Sequence, residues 1–201
     1  MVWYINIFLY LWELFKHWNH TILITPFQTL DMLWVLVPVW LGFFFAEFFQ
    51  EKKGTSMGNA ITNSIIIVWG SIDCSRQTVN LISKGVITNF WSIFARFTII
   101  ALILAYGVLI ILFGWKGNPI IKRIGRVREV TYIFAMFVPV FYNVTPLSLK
   151  HILAAIIFFP LFYFTVELFD KLTPNPKAVI EDMEEETGKI NLQNKNFGGK
   201  V

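Results

Sequence analysis

The chain is poor in charge and almost without cysteine. Only 15% of its 201 residues are Asp, Glu, Lys or Arg, against about 25% in an ordinary soluble domain. That leaves too little polar surface to keep a body of this size in water. A single cysteine, Cys74, excludes an intrachain disulfide framework and a cysteine-built zinc site. HExxH and GxSxG are both absent, and no nucleophile, base and carboxylate fall into a catalytic pattern. No cofactor fingerprint and no internal repeat is visible, so no cofactor is expected and an enzyme is the less favoured reading, though the question stays open.

What is abundant is apolar. Fifty-six per cent of the residues are hydrophobic, Phe alone fills 21 positions, and the mean hydropathy is +0.59. These figures predict an all-α polytopic integral membrane helical bundle. A span needs about 20 largely apolar residues to cross a core about 30 Å thick. Four segments qualify, about Asp31–Phe49, Trp91–Phe113, Val127–Asn143 and Leu149–Phe169, and a weaker one, about Gly58–Leu81, lies second in order with a continuous apolar run only over Ile65–Ile72. Pro38, Pro139 and Pro160 fall inside spans, where proline removes a backbone hydrogen bond and favours a bend.

Residues 1–25 are read separately. The stretch from Trp3 to Trp18 is interrupted by Glu13 and Lys16 and studded with tryptophan. This predicts an interfacial helix, with a sixth span as the alternative. A signal peptide is not favoured, because no basic residue precedes the apolar run and no small-residue cleavage site comes after it. Residues 26–173 form the membrane domain. Residues 174–201 read as a charged cytoplasmic tail, with a short acidic helix over Ala178–Glu186 and a partly disordered remainder.

Basic residues set the orientation. Lys116, Lys122, Arg123, Arg126 and Arg128 cluster between the third and fourth spans, so that segment is expected to face the cytoplasm of a cell-membrane protein. Lys52, Lys53 and the C-terminus then also lie inside, and the N-terminus outside. The sequons Asn19-His20-Thr21 and Asn143-Val144-Thr145 both fall outside. The pI near 9.2 therefore points to membrane orientation rather than nucleic acid. Asn118-Pro119 opens a short amphipathic helix expected to run into the fourth span. Its Lys122, Arg123, Arg126 and Arg128 are candidate contacts for anionic lipid headgroups.

The second span carries the sharpest pattern. Asn59, Asn63, Ile66, Gly70, Asp73, Gln77 and Asn80 alternate in steps of four and three, which puts a polar stripe on one helical face. Such a face packs on polar partners or lines a wet cavity. Arg76, at i+3, is placed to pair with Asp73. Glu47 and Glu51 end the first span. Glu129, Tyr132, Met136, Pro139 and Asn143 form a stripe on the fourth, and Pro160, Tyr163, Glu167 and Asp170 one on the fifth. Glu47, Glu51, Glu129, Glu167 and Asp170 are expected at the inner mouth, where hard oxygen ligands suit cations. The same residues also suit structural pairing between helices. No metal is assigned; His17 and His20, spaced i,i+3 at the outer side, are the nearest approach to a site.

The loop Gly54–Asn63 combines glycines with small hydroxyl residues ahead of a helix, a form that exposes N–H groups to an anion, with Thr55 or Ser56 as helix cap. It resembles the Gly-Asn-rich signature of membrane acyl-phosphate glycerol-phosphate acyltransferases. The spacing differs by one residue and that family's glycine-lysine-rich second signature is absent.

The functional expectation is a small channel or carrier for cations or a small solute. Asp73 would be its intramembrane charge and Asn59 and Asn63 neutral ligands. Membrane lipids, and a homo-oligomer or other membrane subunits, are the expected partners. A non-catalytic complex subunit or assembly factor is the alternative, and a lipid-modifying membrane enzyme a weaker one.

Overall fold

The computed structural model describes residues 3–50, 54–174 and 180. Among them the chain forms seven α-helices and no strand: α1 Trp3–Leu23, α2 Leu30–Phe45, α3 Met57–Ser83, α4 Phe90–Trp115, α5 Ile121–Ile124, α6 Val127–Phe141 and α7 Leu149–Leu172. A 3-10 turn, Thr25–Phe27, joins α1 to α2. A π-helical turn, Ala46–Gln50, extends α2. Glu51, Lys52, Lys53 and the tail helix expected at 178–186 lie outside the described residues, except for Ile180.

Helix starts obey local chemistry. Ser56 caps α3 by accepting from Asn59 N at 3.0 Å, Asn89 caps α4 by accepting from Trp91 N at 2.9 Å, and Ser148 caps α7 by accepting from His151 N at 3.2 Å. Among the described residues three helical segments are long and apolar enough to cross a membrane: Leu30–Gln50, Phe90–Trp115 and Leu149–Leu172. Their outward residues, among them Leu102, Leu109, Leu112, Ile156, Phe164 and Leu168, are exposed and apolar. The helix α3 has 27 residues and a length of about 40 Å, but its polar stripe keeps it out of that group.

The fourth expected span differs. At 15 residues, α6 is about 22 Å long, shorter than the hydrocarbon core. Twelve of those residues are buried, so α6 is the central strut of the bundle, enclosed by its neighbours. Val130, Phe134, Val138 and Phe141 turn one face to Met32, Leu36 and Val39 of α2 and to Ile67 and Cys74 of α3. Tyr132 and Met136 turn the other to Leu14 and Trp18 of α1 and to Ala154 and Ala155 of α7. Four- and three-residue steps on two faces let one short helix serve two cores.

Hydrogen bonds tie the second core. Trp18 Nε1 donates to the Tyr132 hydroxyl at 3.0 Å, and that hydroxyl donates to Ala155 O at 2.6 Å. Glycine permits the closest packing in the first. A Cβ on Gly70 would sit 2.3 Å from the Phe134 ring, and one on Gly107 would sit 2.9 Å from Ile67 Cγ2. The basic amphipathic helix is only the single turn α5. Gly125 and Arg126 interrupt it before α6 begins, so it does not run into the next helix. The N-terminal helix is five residues longer at its C-terminal end than the stretch Trp3–Trp18 expected to be interfacial.

Candidate functional site

The stripe on α3 does not converge on one place. Asn63 and Asp73 are ten residues, or about 15 Å, apart along the helix, and each meets different partners. Buried Asn63 donates through Nδ2 to Gly125 O at 2.9 Å. Asn59 sits in the first turn of α3, partly exposed. Between these and Asp73, the Phe134 ring lies against Gly70 and closes the helix interface.

Asp73 belongs to a cavity at the other end. Its side chain is buried, and Oδ1 accepts from Arg76 Nε at 3.0 Å and Nη2 at 2.6 Å. Oδ2 accepts from the Tyr142 hydroxyl at 2.7 Å. Gln77, Asn80 and the Asp31 carboxylate share the cavity wall with Leu30, Trp34, Trp69 and Ile72, around about 700 Å³. The expected i,i+3 pairing of Arg76 with Asp73 is present. Arg76 itself remains 65% exposed, so the cavity keeps an accessible guanidinium at its rim.

A second polar cavity of about 520 Å³ opens at the opposite end of α2 and α6. Its wall is knit by Arg128, whose side chain is 10% exposed. Arg128 Nε donates to Glu47 Oε1 at 2.7 Å, Nη2 donates to the same oxygen, and Nη1 donates to Glu167 Oε2 at 2.6 Å. The guanidinium also lies 5.1 Å from the Tyr163 ring centroid. Arg126 Nη1 donates to the Tyr163 hydroxyl, and Lys171 Nζ stands 3.5 Å from Glu167 Oε1. Asp170 shares the wall, whereas Glu129, on the first turn of α6, does not line it. Glu51 lies outside the described residues. Of the four basic residues expected at lipid headgroups, Lys122 and Arg123 are exposed and Arg126 is half-buried, whereas Arg128 is internal.

Other expectations shift as well. His17 and His20 lie on α1 and His151 on α7. His151 is fully buried, with Nε2 donating to Met136 O at 2.9 Å and Nδ1 3.0 Å from His17 Nε2. His20 turns instead to the Thr25 hydroxyl, 3.2 Å away, so His17 and His20 share no metal position. Among the described residues no group of three metal-ligating side chains gathers. In the two sequons Thr21 and Thr145 are buried, and the Asn143 side chain accepts from Arg96 Nη2 at 2.9 Å. Sequence reasoning puts Tyr163 on a stripe without its partner Arg126, and misses Tyr142 and the burial of Arg96, which also donates to Val140 O. The signal for Arg96 is an arginine inside an apolar run, which in sequence passes for a flank.

Neither known protein families, nor characterised proteins, nor solved structures yield a match to this chain.

Proposed function

We propose that the chain is a polytopic membrane carrier for a small solute bearing a cationic group. In this reading α2, α3, α4, α6 and α7 cross the bilayer and α1 lies at its outer face, with the N-terminus outside and the C-terminus in the cytoplasm. The apolar outer surfaces of α2, α4 and α7 support insertion. The exposed Lys116, Lys122 and Arg123 support the orientation.

One observation carries the transport reading. A cavity floored by Asp73 opens at one end of the bundle, a second polar cavity walled by Glu47, Arg128 and Glu167 opens at the other, and Phe134 packed on Gly70 lies between them. An intramembrane carboxylate beside a cavity favours a cation path. Two polar cavities at opposite ends with a closed helix interface between them favour a carrier over an open pore. Uptake of a labelled small amine by proteoliposomes tests this. The Asp73→Asn variant is expected to lower uptake by about tenfold or more, a loss of about 1.4 kcal/mol in binding terms, while still melting cooperatively as a folded protein. Equal uptake by the variant and the parent overturns the reading.

A second reading, a complex subunit, is favoured by α1. Every residue from Trp3 to Trp12 is exposed and most are apolar. A stable heteromeric complex in mild detergent, with no solute flux, would select it.

A further inference from the structure

The Asp73 cavity does not end at its polar wall. The helices α2 and α3 barely touch, and the rings of Trp34 and Trp69 border three adjoining hollows. One is the polar cavity, one runs past Leu33, Val37 and Pro38, and one descends between Val39, Ile65, Ile66 and Gly70. Along α3, Asp73 and Ile65 are about 12 Å apart. The result is a lateral groove with a charged head and an apolar channel leading from it, open toward the side of the bundle.

The head is charged in both senses. Arg76 uses Nε and Nη2 on Asp73, which leaves Nη1 for an outside acceptor. Asp31, in the first turn of α2, exposes a carboxylate to the same cavity. Trp34 adds an aromatic face beside it, favourable to an ammonium group. A phosphate on Arg76 and an amine on Asp31 would satisfy both ends, with the chain laid between α2 and α3. A bare ion or a short polar solute would leave the apolar channel unused.

We propose that the groove between α2 and α3 holds a zwitterionic phospholipid of the amine type, with its headgroup at Arg76 and Asp31 and one acyl chain over Pro38 and Ile66. As a binding site this goes beyond the transport reading and stands on the groove alone.

The test uses the full chain in vesicles of phosphatidylethanolamine and phosphatidylglycerol, doped with phosphatidylethanolamine carrying a photoreactive group on its acyl chain. Adducts are mapped by mass spectrometry. Labelling is expected to concentrate on 37–39 and 65–70, above that on Leu102 and Leu109 of α4, which report ordinary lipid contact. The double variant Asp31→Asn, Arg76→Gln is expected to reduce groove labelling about fivefold, the effect of losing about 1 kcal/mol of head contacts, and to leave α4 labelling unchanged. Ile66→Trp, which fills the channel and spares the head, is expected to reduce it too. Groove labelling no greater than that of α4, or unaffected by both variants, overturns the proposal. Selective labelling without any solute flux would sustain the lipid site and overturn the carrier. Asp73-dependent amine uptake with no selective labelling would do the reverse.

Discussion

Arg128 joins two carboxylates and one aromatic ring through a single guanidinium, and its neighbours depend on it. Glu47 is 1% exposed, so its charge is taken out of water, and Glu167 shares the same cation. Removing one member of such a set leaves charge of one sign poorly compensated, at a cost of about 3–5 kcal/mol. Arg128→Met is therefore expected to lower unfolding stability in detergent by about that amount. Adding Glu47→Leu should recover much of the loss, because the uncompensated group leaves with its partner. A double variant no more stable than the single one would show that Arg128 acts otherwise. The residue scale is also where the sequence is least legible. Charge and spacing put Arg128 on a helix face, and so among headgroup contacts, but they do not give the depth of that face in the bundle. Glu47, Glu167 and Asp170 are all expected on one side, yet nothing in a one-dimensional pattern says which of Arg123, Arg126 and Arg128 turns inward.

The elements are more legible than their neighbours. The limits of α2, α3, α4 and α7 fall within a few residues of the apolar runs, since length, caps and prolines act locally. The capping of α3 by Ser56 is an instance. The stripe on α3 does lie on one face, but a helical repeat fixes angle and leaves partners open. Asn63 meets the end of the α5 turn, Asp73 meets the end of α6, and Phe134 comes between them. The short helix α6 looks longer in sequence because Tyr142 prolongs the apolar run and Asn143 keeps the helical spacing of the stripe, whereas Asn143 turns left-handed at φ 59° and ends the helix. The contact of α3 with α6 gives its own prediction. Gly70→Ala forces a methyl group toward the Phe134 ring and should destabilise by about 1–3 kcal/mol, read as a lower melting temperature. Phe134→Leu in the same chain should relieve part of that cost. If Gly70→Ala alone melts like the parent, the two helices are less closely set than described.

At the scale of the whole molecule, the near absence of cysteine becomes useful. Cys74 is 1% exposed, so the parent chain should react little with a membrane-impermeant maleimide. Single cysteines can then report sidedness on this background. In right-side-out vesicles, Gln28→Cys is expected to label from outside and Lys116→Cys only after the membrane is opened. The opposite pattern would invert the bundle, and labelling of both from outside would refute the count of crossings between them. Composition alone brings the chain to a membrane, and the three apolar helical segments agree with it. The interior is beyond composition, because nothing in the apolar content of α6 tells that it is the post around which the other helices stand.

The π turn at Ala46–Gln50 has a consequence of phase. A π turn is an α-helix with one residue in excess, so the faces before and after it are offset by about 100°. Glu47 sits within that offset. Loss of one residue from this stretch would return the helix to regular winding and rotate its C-terminal end by about a third of a turn, with every hydrophobic residue of α2 retained. The backbone would tolerate this, and the match between Glu47 and Arg128 would not. The surplus residue thus acts as a spacer in angle rather than in length: it allows one helix to face the apolar core with its first four turns and a cation with its last.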